Sequence, residues 1–209
     1  MATKARNMYT LDTSGIMAKP EPDSHVASHN RIDYLTHASF HRHLLGDDLS
    51  KFYQRFWAAL MGRLPSLTIE DEWTEFPDIM EFWMAPLTAS MNEALVGPIL
   101  DCVNPNFTRD LLRYFPYVQD LMKGLPRWWI PEAYRLREKL VGDVKQWHAI
   151  ARGRFRETDI DEDGGDPWWG SPFMRERQKI LGRVDNWDYD SIASSDLGLL
   201  WGYVELLLQ

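Results

Sequence analysis

Cysteine is nearly missing from this sequence: Cys102 is the only one in 209 residues. A single cysteine excludes any disulfide within the chain and any cysteine-based zinc cluster, and it fits a reducing compartment. Cys102 itself reads most simply as a small buried apolar residue. Positive charge is also short, with 23 Lys and Arg against 31 Asp and Glu and a formal net charge of -8. No broad cationic surface is left to displace counterions from phosphates, which argues against nucleic acid as a partner. Long apolar runs are lacking too. The N-terminus carries positive charge but no apolar stretch after it, so it lacks the layout of a secretory signal. The most apolar segment, IASSDLGLLWGYVELLLQ at the C-terminus, is shorter than the roughly 20 residues a bilayer requires and contains Asp196 and Glu205. It reads as a buried helix, no transmembrane segment is expected, and the sequence taken alone reads as soluble and cytoplasmic. Strand signals, phosphate-cradling loops, dinucleotide fingerprints and nucleophile elbows are absent as well.

What remains is helical. With 44% hydrophobic and 13% aromatic residues the chain has ample material for a core. Residues 1–30 are rich in Pro, Ser, Asp and His without a sustained period and read as an irregular segment. Residues 31–209 read as one mainly α domain of about six helices. The first runs from Leu49 through Phe52, Tyr53, Phe56, Trp57, Leu60 and Leu64, with Asp47 and Asp48 at its N-terminal end. Pro77 is placed to open a second, which carries Ile79, Phe82, Trp83, Leu87, Met91 and Leu95, is kinked by Pro86 and is stopped by Gly97-Pro98. A third follows Asn104-Pro105 and breaks at Pro116. A fourth starts at Pro131 and continues to Ile150. Short and long apolar stretches after Ser171-Pro172 and Asp190 complete the set. The last pattern is still running at Gln209 without a cap, which suggests a truncated architecture or a helix covered by another chain.

Residues able to carry chemistry are few. The pairs His25/His29 and His37/His41 have the i, i+4 spacing of metal ligands, but no Glu adjoins them in the His-Glu-x-x-His pattern. His148 reads as a helix-flank residue rather than a base. Glu157 to Asp166 concentrates acids and glycines, and it reads as a solvated loop because the ligand pattern of a calcium loop is not met. Ten tryptophans read chiefly as aromatic core and docking surface between helices, since Trp57, Trp83 and Trp147 fall on apolar faces. No catalytic residue and no metal ligand emerges.

Five stretches in order, HNRIDYLTHASFHRHLLGDDLSKFYQRF, DEWTEFPDIMEFWMAPLTASMNEALVGPIL, MKGLPRWWIPEAYRLREKLVGDVKQW, DPWWGSPFMRERQKIL and DYDSIASSDLGLLWG, resemble the front half of a cytochrome P-450. They are most similar to fungal members related to the sterol 7-alpha-hydroxylase and prostacyclin synthase branch. The resemblance implies the distal helical half of that fold, ending within the long helix that lines the substrate pocket. It places Leu199, Leu200, Trp201 and Gly202 toward the substrate. It further implies, for an intact member, haem as cofactor, a reductase as electron donor, a lipophilic substrate such as a sterol, terpenoid or polyketide, and an endoplasmic reticulum membrane location. The family's haem ligand is a Cys thiolate in a Phe-x-x-Gly loop, accompanied by a later Glu-x-x-Arg pair. Neither is found here, and the context of Cys102 does not resemble the ligand loop. Tyr203 to Gln209 also departs from the family's continuation of the helix. The expectation is therefore that this chain alone binds no haem. Two readings stay open: a monooxygenase, or truncated derivative, whose catalytic half lies on a complementing chain, and a haem-free helical binding or scaffold protein.

Overall fold

The computed structural model describes residues 19–67, 73, 75, 76 and 78–207. Nine α-helices occur among the described residues: α1 Ile32–His43, α2 Asp47–Arg63, α3 Ile79–Val96, α4 Ile99–Val103, α5 Phe107–Tyr114, α6 Val118–Met122, α7 Pro131–Arg154, α8 Pro172–Leu181 and α9 Tyr189–Leu207. No strand occurs among them, only an isolated bridge between Asp166 and Gly170. The mainly α expectation therefore holds. The larger helix number has two sources: the predicted third helix is split into α5 and α6 by a 3-10 turn at Phe115–Tyr117, and α1 and α4 were not anticipated. The split lies at Pro116, whose ring cannot continue an α-helical ladder.

Local chemistry explains most boundaries. Asp78 caps α3 by accepting the Met80 amide at 2.8 Å, and Pro77 lies outside the described residues. Pro86 sits inside an uninterrupted α3, and Gly97 ends the helix at φ 77°. Pro131 occupies the first turn of α7, where its missing N–H costs nothing. Ser171 caps α8 through its hydroxyl, which accepts the Met174 amide at 3.2 Å.

Helix α3 is the hub, packed against α2, α4, α5, α8 and α9, while α7 lies across α4, α5 and α9. The main core draws Leu95, Leu100, Phe107, Leu111, Leu136, Leu140, Trp147, Phe173, Met174 and Leu200 into one cluster. A smaller cluster of Ile32, Leu181, Val184 and Ile192 lies where α1 meets α8 and α9. The loop from Asp166 to Ser171 locks onto the end of α3. Trp168 and Trp169 amides donate to Asp166 Oδ1 at 2.8 and 2.7 Å, and Ser171 N donates to the Leu95 carbonyl at 3.0 Å. This close approach requires glycine at position 170, where φ is +76° and a Cβ would collide with the Gly97 amide nitrogen.

Several sequence expectations are corrected here. Cys102 is exposed rather than buried, because α4 is too short to bury more than one side and Leu100 takes the inward position. The wide apolar face of α2 is divided: Phe52 and Leu60 are buried, whereas Leu49, Tyr53 and Trp57 are exposed, since α3 covers only part of that face. On α3, Ile79 is likewise exposed, while Leu95 is fully buried. Within the acidic segment, Glu157 and Asp161 to Asp163 are solvated as expected, but Asp166 is buried and ion-paired to Arg175. His148 is buried as well, for a reason that belongs to the site.

Candidate functional site

One stripe of α9 carries Ser194, Leu197, Gly198 and Trp201 at the i, i+3, i+4, i+7 spacing of a single helical face. Facing it are Tyr134 and Arg137, one turn apart on α7, and Tyr114, Val118, Leu121 and Met122 from α5 and α6. Together they bound a hollow of about 600 Å³, within the size range of small-molecule sites. Most of its wall is apolar, with Val118, Leu121, Met122 and Leu197 beside the Trp201 ring. Trp201 is itself held against Phe115, with ring centres 5.8 Å apart.

The polar groups of the hollow are few and unevenly satisfied. Arg137 Nη2 donates to Ser194 Oγ at 3.0 Å, and among the described residues no carboxylate pairs with the guanidinium. The Tyr134 hydroxyl is committed to the Leu125 carbonyl at 2.9 Å. The Trp201 indole N–H is buried without a partner among the described residues. Burial pushes the Tyr114 phenol above its ordinary pKa, partly offset by the Arg137 charge, so the phenol stays a neutral O–H at pH 7.

Beneath the polar side of α9 lies a buried charge cluster. Asp196 is fully enclosed and receives Arg177 Nε at 2.7 Å on one oxygen and Gln178 Nε2 at 2.5 Å on the other. His148 Nε2 lies 3.0 Å from the same carboxylate, off the line of a hydrogen bond. The remaining Arg177 nitrogens donate to Thr36 at 3.1 Å and Ser195 at 2.6 Å. Burial alone would raise the Asp196 pKa. The Arg177 charge and the His148 contact outweigh it and hold the carboxyl below its ordinary value. His148 is therefore a buried contact of Asp196 and not a helix-flank residue, because Asp196 sits inside an apolar helix and must be partnered where it lies.

A second concavity, of about 730 Å³, runs along α2 and the 159–170 loop. It is crossed by the Arg63 pairs with Glu93 at 2.6 Å and Asp101 at 3.1 Å. Its charged groups are mostly spent on one another.

The sequence-predicted pocket residues separate in space. Trp201 lines the 600 Å³ hollow, Leu200 is buried in the main core, Leu199 packs half-buried against that core, and Gly202 is half-buried. Side chains beyond Gly202 lie outside the described residues. Sequence reasoning missed Arg137, Tyr114 and Ser194 as lining residues and the Arg177–Asp196–His148 cluster altogether. Asp196 inside an apolar run was the available signal, since a buried carboxylate demands a buried cation. His37 and His41 do meet, at 3.1 Å on the exposed side of α1, but no group of three or more metal-ligating side chains occurs among the described residues. The residues present do not fit a haem-thiolate centre: Cys102 is exposed on α4 and borders neither concavity. No described helix is long and apolar enough to cross a membrane.

Comparison with known proteins places this helical assembly beside fungal enzymes. The chain is 29% identical to the cytochrome P450 monooxygenase fsoE of Humicola fuscoatra over 81% of its length and 30% of that protein's. It is 25% identical to the cytochrome P450 monooxygenase efuG of Hormonema carpetanum, covering 79% of this chain and 30% of that one. It is 27% identical to the cytochrome P450 monooxygenase calL of Penicillium decumbens, covering 95% of this chain and 39% of that one. The chain thus spans 30–39% of the length of these curated relatives. No family model matches the chain, and no solved structure matches it. The three similarities support kinship with the cytochrome P450 family.

Proposed function

We propose that this chain, similar over most of its length to fungal cytochrome P450 monooxygenases, supplies the substrate-binding helical part of such an enzyme. The reaction of the whole would insert one oxygen atom into a C–H bond of a lipophilic sterol, terpenoid or polyketide, with a reductase providing electrons. The observation that carries the reading is similarity to three P450 monooxygenases over 79–95% of this chain. The branch nearest to it is the one related to sterol 7-alpha-hydroxylase and prostacyclin synthase, on the five ordered segments. Haem would supply the oxygen chemistry in the whole enzyme. What this chain's own residues contribute is a pocket: Trp201 and Leu197 present an apolar surface from α9, α5 and α6 close it, and the Arg177–Asp196–His148 cluster holds α9 in register against α7 and α8.

Two experiments test this. Sequencing the transcript through and past the codon for Gln209 should reveal an in-frame continuation carrying a Phe-x-x-Gly-type cysteine loop; transcripts that all lack one would sink the monooxygenase reading. The purified 209-residue chain, mixed with haemin, reduced and exposed to CO, should show no thiolate-haem Soret band. A clear band would overturn the assignment of the iron ligand to another segment. The second reading, a haem-free binding protein, is favoured by the chain's own closed core, with Trp147, Phe107 and Leu140 fully buried without any added group. Cooperative thermal unfolding together with transcripts that end at Gln209 would decide for it.

A further inference from the structure

The hollow between α5–α6, α7 and α9 has a chemical polarity that neither the fold nor the family resemblance requires. Its apolar wall carries one cation, Arg137, without a carboxylate partner among the described residues, whereas Arg177 is paired with Asp196, Arg175 with Asp166, and Arg63 with Glu93 and Asp101. Beside Arg137 stand Ser194 Oγ, 3.0 Å away, and the neutral phenol of Tyr114. An unsatisfied indole N–H on Trp201 lies seven residues further along α9, which is about 10 Å at the rise of an α-helix. Donors therefore outnumber acceptors at both ends of an apolar trough.

We propose that this hollow binds a lipophilic carboxylate, with its carboxylate on Arg137 and Tyr114, its hydrocarbon body along Val118, Leu121 and Leu197, and a distal oxygen accepting from Trp201. A guanidinium and a carboxylate form a pair of matched charge and matched planar geometry, and the apolar surroundings strengthen it. A phosphate would bring a second charge for which the hollow has no cation. A neutral hydrocarbon would leave the Arg137 charge without a counter-ion and the buried Trp201 indole N–H without an acceptor, which disfavours it. The binding stands on these residues alone. Only the description of the occupant as an oxidation substrate rests on the proposed function.

Isothermal titration of the 209-residue chain with decanoate, 1-decanol and 10-hydroxydecanoate, below their aggregation limits, tests the assignment. Decanoate should bind at least about tenfold tighter than 1-decanol, and 10-hydroxydecanoate tighter again. Arg137→Met should remove the preference for acid over alcohol while leaving 1-decanol within about twofold, and Arg137→Lys should keep part of it. Trp201→Phe should erase only the advantage of the 10-hydroxyl group. Circular dichroism of each variant confirms that the helices persist, and Ser194→Ala gives a second, milder perturbation of the same end. Equal binding of acid and alcohol, an unchanged decanoate affinity in Arg137→Met, or no saturable binding of any probe would overturn the proposal. None of these titrations contains haem, so their failure leaves the monooxygenase reading standing, and a transcript without a cysteine loop leaves the binding result standing.

Discussion

Helices α2 and α7 carry the same apolar spacing, yet α2 keeps its tryptophan largely in water and α7 buries its own. On α7, Trp147 is completely enclosed: its indole N–H donates to the Trp168 carbonyl at 2.7 Å and its ring meets Trp169 edge-on at 5.5 Å. On α2, Trp57 is 47% exposed and stacks only on Tyr53, one turn away at 6.2 Å. The difference lies in the neighbours. Helix α7 is surrounded by α4, α5, α9 and the tryptophan-bearing loop, whereas α2 packs mainly on α3, leaving Leu49, Tyr53, Trp57 and Met61 as an exposed row. Hydrophobic period states which residues share a face; it does not state how much of that face another element covers.

Mutation separates the two helices sharply. Trp147→Ala should cost about 3–5 kcal/mol of unfolding free energy in urea titrations, because a large cavity opens and the Trp168 carbonyl loses its donor. A loss below about 1 kcal/mol would show that the α7 face is not the centre of the core. Next in size, Arg177→Met strands Asp196 as a buried uncompensated charge, and a loss of about 3 kcal/mol is expected. A neutral result there would mean that His148 and Gln178 suffice for Asp196.

The same cluster makes α7 packing sensitive to acid. Asp196 has its pKa held below the ordinary carboxyl value in the folded state. Its contribution is therefore present above the unfolded value of about 3.9 and is lost as pH falls through the lower folded value. Stability measured between about pH 6 and pH 2 should fall more steeply in the parent chain than in Asp196→Asn, and equal slopes would refute the linkage. The smallest effect belongs to α2: Trp57→Ala should change stability by no more than about 1 kcal/mol. A larger loss would show that this row is covered in solution, and the contrast between α2 and α7 would disappear.

Much of the architecture was legible beforehand. Pro116 marked the break between α5 and α6, Gly97 the end of α3, Ser171-Pro172 the start of α8 and Pro131 the start of α7, because proline geometry and helix capping act within one turn. Helices α1 and α4 were missed: α1 has a histidine-rich, weakly amphipathic face, and α4 is only five residues long. Of the pocket, Trp201 is named by the resemblance, but Arg137 is not singled out by the sequence. Nothing within α7 distinguishes it from Arg135, which pairs with Glu132 on the surface.

The sequence by itself determined a helical chain with a modest acidic excess, its main helix ends, and an ordered set of segments similar to fungal P450 monooxygenases, since these depend on neighbours in the chain or on ordered similarity. Tertiary structure alone decided which tryptophans are buried, that Cys102 faces outward, that Arg177 neutralises Asp196 with His148 beside it, and that Arg137 meets Ser194 across 57 positions. Those facts depend on how the helices cross one another. That crossing is set by how whole helix faces fit together, a property no local pattern encodes.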